Sequence, residues 1–236
     1  MRILLVCLTF CACAAEGPKE KTAEIRPGST MDAELHFDRG AALSARGRYT
    51  EAIDAYLKAA DLAPGYTKVQ YNLGNAYVRQ LDYPHAIEAY QRVLALDSTH
   101  VSARHNLAAM YVKQLNYAQA IEEHRKVLAF DPRHVTTYYD LSYIYFLRGE
   151  YGEVETLLTE GVRRDSTNAS FHRLLGRMRF KELAFDQAVV ALNRSVQLDS
   201  TDAATFTDLA QVEMKRRDYA AAEQAARRAV ALDGFA

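Results

Sequence analysis

Tryptophan is absent from this chain of 236 residues, and its three cysteines, Cys7, Cys11 and Cys13, all fall within the first 13 positions. The rest of the chain therefore has no disulfide framework and no thiolate metal site. Net charge is missing too: 29 Lys and Arg stand against 30 Asp and Glu, a formal −1. A nucleic-acid footprint needs a basic face, so that class of partner is excluded. No apolar run reaches the roughly 18–20 residues that span a bilayer. Gly40, Gly74 and Gly176 stand singly, so there is no glycine-rich phosphate loop. The histidines His36, His85, His100, His105, His124, His134 and His172 include no pair at the i, i+4 spacing of a helical zinc site. No Ser and His form an evident nucleophile pair. No metal, no cofactor and no catalytic residue is expected.

What the chain does have is a period. Tyr49, Tyr83, Tyr117, Tyr151, Phe185 and Tyr219 stand 34 residues apart without a miss. Three residues after each comes Ala52, Ala86, Ala120, Val154, Ala188 or Ala222. The phase is unbroken from Ala33 to Ala236, which predicts a stacked array of one small unit. In Thr67 to His100 the apolar residues Val69, Leu73, Ala76 and Tyr77 have helical spacing, as do Tyr83, Ala86, Ile87, Tyr90, Val93 and Leu94. The break near Gln80-Leu81-Asp82-Tyr83 is short, so the two helices run antiparallel as neighbours. The closing Asp97-Ser98 suits a cap for the next helix, and Pro64 and Pro132 mark the same closing position. The small residues are expected to be packing, and the Tyr/Phe column to be core.

These features resemble the tetratricopeptide repeat. The eighth position of each unit is Gly40, Gly74, Ala108, Ser142, Gly176 and Ala210, and the eleventh is Tyr77, Tyr111 and Tyr145 in the middle units. The twenty-fourth is Tyr56 and Tyr90, then drifts to His124, Leu158, Leu192 and Ala226. The resemblance implies an all-α, right-handed solenoid of six helix-turn-helix repeats, 33–66, 67–100, 101–134, 135–168, 169–202 and 203–236. It is specific for the fold and says little of function, beyond the binding of a protein or peptide.

The leader, MRILLVCLTFCACAA (1–15), has the charged, apolar, small-residue order of an export signal. Lipidation at Cys13 is the favoured reading, with an ordinary cut and a released form as the alternative. Residues 16–32, rich in Pro, Gly and charge, are expected to be a flexible tether. The membrane would be met only through that lipid anchor, placing the protein at the bacterial envelope or in the periplasm.

In this family the first helix of each unit lines a concave groove, and the resemblance carries groove positions onto Tyr71, Asn72, Asn75, His105, Asn106, Tyr139, Asp140, Tyr143, Phe146, Arg177, Phe180 and Lys181. Asn72 and Asn106 resemble a ladder that holds an extended peptide backbone, since an amide offers a donor and an acceptor on one plane. The alternative is that they bond to neighbouring helices or simply face water. The two-carboxylate clamp of chaperone-binding members is not expected: Asn75 and Asn106 match it, but Tyr71 and Thr136 replace its Lys and Asp140 its Arg. Tyr139, Tyr143 and Phe146 with Phe180, Arg177 and Lys181 would form an aromatic wall edged by cations, the composition of binding hot spots. His105 is expected to be solvated. The last helix lacks a polar cap, so it could stand in water, dock a second copy, or precede further chain. The sequence thus points to an exported, lipid-anchored scaffold without activity. Its rivals are a cytoplasmic adaptor and the front part of a larger enzyme such as a glycosyltransferase.

Overall fold

The computed structural model describes residues 29–234, which form twelve α-helices joined by short turns and contain no strand. They are α1 (Ser29–Ala45), α2 (Tyr49–Leu62), α3 (Thr67–Arg79), α4 (Tyr83–Leu96), α5 (Val101–Lys113), α6 (Tyr117–Phe130), α7 (Val135–Arg148), α8 (Tyr151–Arg164), α9 (Ala169–Lys181), α10 (Phe185–Leu198), α11 (Ala203–Arg216) and α12 (Tyr219–Asp233). Each odd helix pairs with the even helix after it, and each hairpin leans on the next. First helices also touch first helices of the following unit, as α7 touches α9. Six hairpins stacked this way make the all-α solenoid. No described helix is long and apolar enough to cross a membrane.

The leader and Cys13 lie outside the described residues. The tether boundary expected at residue 32 moves back, because α1 already begins at Ser29.

One turn recurs inside every hairpin. Gly47, Leu81, Leu115, Gly149, Leu183 and Arg217 all have positive φ, between 60° and 76°. In the second hairpin Asp82 N–H donates to Tyr77 O and Leu81 N–H donates to Val78 O, both at 3.0 Å. The other five repeat this pair of bonds, which closes the first helix through a left-handed residue. Between hairpins, the sequence expectation for Asp97 is corrected. Its Oδ1 accepts from Thr99 N at 2.9 Å and Thr99 Oγ1 at 2.7 Å, so it ends α4 rather than starting α5. The cap of α5 is His100, whose Nδ1 accepts from Ala103 N at 3.2 Å.

The small residues are there because something large lies on them. A Cβ added to Gly74 would sit 2.7 Å from the Tyr90 ring, and one at Gly161 would sit 2.4 Å from Phe171. The core runs along the solenoid as buried clusters, the largest spanning α4 to α9. The Tyr/Phe column is not core, contrary to expectation. Five of its members are half-buried and Tyr219 is 62 % exposed. These rings start the second helix and lie at the edge of the next hairpin, where the Tyr49 hydroxyl accepts from Arg79 Nε at 3.0 Å. Tyr219 has no described hairpin beyond it to supply that cover.

Candidate functional site

Three positions recur at the junctions between hairpins: the fifth and twenty-fourth residues of one unit and the sixth of the following unit. Each junction fills them with different chemistry. At the first, Phe37 and Tyr56 pack ring to ring at 5.9 Å. At the fourth, Leu158 and Leu174 are buried with Tyr139 packed against them. At the fifth, Arg173 Nε donates to Asp208 Oδ2 at 2.7 Å.

The second junction is a closed polar network. Tyr90, 1 % exposed, donates its hydroxyl to Asn75 Oδ1 at 2.7 Å. Asn106 Nδ2 donates to the same Oδ1 at 3.2 Å and lies 3.3 Å from Tyr71 Oη and 3.4 Å from Tyr90 Oη. Tyr71 is stacked on His100 with centroids 5.2 Å apart. The Asn106 amide nitrogen is therefore bonded inside the solenoid, and Asn72 Nδ2 donates to Lys68 O of its own helix at 2.9 Å. Of the two readings of these asparagines, the structure favours bonds to the protein itself over a ladder open to a peptide.

The third junction holds His105, His124 and Asp140 at the same three positions. Ring centroids of His105 and His124 are 5.4 Å apart, and His105 Nδ1 lies 3.7 Å from Asp140 Oδ2. His134 sits 5.0 Å from His105, with its Nδ1 on Thr137 Oγ1 at 2.8 Å. His124 is 1 % exposed, and its Nδ1 has no hydrogen-bond partner. Burial, reinforced by His105 and His134, pushes the His124 imidazole down to about 3. Burial and then His134 also lower His105, while burial alone raises the Asp140 carboxyl to about 6. The 3.7 Å separation would suit an ion pair, but both shifts run toward the uncharged forms. We therefore take the pair at neutral pH as a neutral imidazole beside a carboxylate. His105 is half-buried in this cluster, so its expected solvation is corrected; packing of α5 against α6 and α7 covers it.

The aromatic wall lies on α7 and α9. Tyr139 and Tyr143 are stacked at 6.3 Å with 8° between their planes, and the Arg177 guanidinium lies 5.9 Å from the Tyr143 centroid. Phe146, expected on the wall, stacks on Tyr143 at 6.5 Å and lines the depression described next, although it is buried at 7 % with Arg177 covering its ring at 5.0 Å. Arg177, Phe180 and Lys181 line a depression of about 240 Å³ that reaches Asp208 and Gln211 on α11. Sequence reading missed His124, which it counted only as drift from an aromatic core position. The available signal was arithmetic: Tyr71, Tyr90 and Asn106, shifted by 34 residues, become His105, His124 and Asp140.

Models of the tetratricopeptide repeat family match residues 30–99 and 71–134. No curated protein matches the chain. Among solved structures, residues 41 to the end of MamA from Desulfovibrio magneticus RS-1 are 22 % identical, with a TM-score of 0.68 over 72 % of this chain and 97 % of that one. PilW, described as a type IV pilus biogenesis factor, is 13 % identical, with a TM-score of 0.74 over 86 % and 94 %. YrrB, described as having an unusual peptide-binding site, is 17 % identical, with a TM-score of 0.58 over 76 % and 93 %. At these identities the likeness is one of fold.

Proposed function

Because this chain is a tetratricopeptide repeat protein, we propose that it is a non-catalytic scaffold that holds an extended segment of a partner protein against its first helices. The observation that carries this reading is the strip formed by Tyr139, Tyr143, Arg177, Phe180 and Lys181. Its rings are stacked and half-buried, a cation lies over them, and a depression opens beside them. Rigid aromatic rings beside Arg give much contact area at little entropic cost, which is how binding energy concentrates in a few residues. A neighbour of the same fold, YrrB, is described as having an unusual peptide-binding site. The leader supports export and anchoring at Cys13, with the scaffold standing at the bacterial envelope.

Pull-down from envelope extract tests the strip. Tyr143→Ala and Arg177→Ala are each expected to weaken partner capture by about 1–2 kcal/mol with little change in melting temperature. Parallel losses of binding and stability would show these side chains to be core. Palmitate labelling that Cys13→Ser abolishes would support the anchor; unlabelled protein in the cytosolic fraction would favour an adaptor there.

A further inference from the structure

We propose that His105, His124 and Asp140 form a binding site for a divalent transition-metal ion of the zinc class, joining α5 and α6 of the third hairpin to α7 of the fourth. One ligand atom from each residue lies within 4.8 Å of the others. Two imidazoles and one carboxylate are a borderline donor set that suits zinc, whereas calcium and magnesium want a shell of oxygens. Water completes the tetrahedron.

One polar atom at this junction lacks a partner. His124 Nδ1 is buried without a hydrogen bond. Such groups are rare in a folded interior because each forfeits its hydration without replacement. Beside it the partly exposed Asp140 carboxylate lies 3.7 Å from His105 Nδ1. At the second junction the same positions satisfy one another through the acceptor of Asn75. Here Ala109 stands where Asn75 does, so that acceptor is gone. All three positions change together into residues that ligate metals. Zinc–ligand bonds of about 2.0–2.2 Å place tetrahedral donors roughly 3.3 Å apart, so loading draws the cluster inward by about 1 Å. His105 and Asp140 are half-buried, whereas the His124 ring is 1 % exposed.

The test is titration of the full chain, free of any polyhistidine tag, with ZnCl2 by calorimetry and with CoCl2 by visible absorption. The expected result is one ion per chain, with Co²⁺ giving the d–d bands of a tetrahedral site. Asp140→Asn and His105→Tyr are each expected to weaken Zn²⁺ binding by at least about tenfold. Both place a residue that the preceding hairpin already accepts there, Asn106 and Tyr71, and circular dichroism checks that the helices remain. If one variant loses its helical signal, the other decides. His85→Ala, at the exposed His85–Asp82 pair, should leave the binding unchanged. The proposal is overturned by the absence of saturable uptake in the wild type, by wild-type affinity in a folded variant, or by loss of binding in His85→Ala.

Discussion

The second and third junctions of the solenoid are built from the same backbone and the same three positions, yet one is closed and the other open. Tyr90, Asn75, Asn106 and Tyr71 pair their polar atoms among themselves. His124, His105 and Asp140 bring rings and a carboxylate together and leave a buried nitrogen unpaired. A polar network that leaves no buried atom unpaired fixes one packing, and one that leaves a buried atom without a partner is costly. The repeat supplies the frame, and the residues at three positions decide whether a junction is a structural joint or a place for a ligand.

Replacing the twenty-fourth residue should separate the two junctions most sharply. Tyr90→Leu removes a fully buried ring that lies on Gly74, together with a hydroxyl donor to Asn75. A loss of about 2–3 kcal/mol is expected from the urea midpoint, the sum of lost packing and a broken network. The same exchange one hairpin later should change sign. His124→Leu, read in chelator, removes an unpaired buried nitrogen and installs the residue that Leu158 and Leu192 already provide at that position. A gain of about 1 kcal/mol is expected. Equal losses at both sites would mean that position 24 is felt only as volume, and the contrast between the junctions would fall.

The period made the frame legible. Thirty-four-residue spacing placed the hairpins, and the short breaks such as Gln80 to Tyr83 gave their antiparallel pairing. Small residues at the eighth position were packing for the stated reason, since Tyr90 lies on Gly74. Side-chain partners across hairpins were harder to see. Asn106 looked free for a ligand because its acceptor, Asn75, is 31 residues away and on another helix. Helical phase placed Phe146 with the groove residues but did not say how deeply Arg177 from the next unit covers its ring. The histidines escaped because metal-site spacing was sought along one helix, whereas these come from three helices in two hairpins. The left-handed turns were visible only at Gly47 and Gly149. Leu81, Leu115, Leu183 and Arg217 adopt the same conformation under the demand of the recurring turn, against their own preference.

Those turns provide the smallest effect and the control for the comparison. Leu81 and Leu115 close the first helices of the second and third hairpins, with φ of 62° and 60°, and both side chains are exposed. A left-handed leucine costs about 1–2 kcal/mol, and glycine removes that cost while adding about 0.5–1 kcal/mol of chain entropy in the unfolded state. Leu81→Gly and Leu115→Gly should therefore each stabilise by about 0.5–1 kcal/mol, as seen in urea midpoints. The two gains should be equal, because the backbone is the same on both sides of the comparison. If Leu115→Gly gained and Leu81→Gly did not, the hairpins themselves would differ in strain. The opposite signs expected at Tyr90 and His124 would then no longer isolate the chemistry of the junctions.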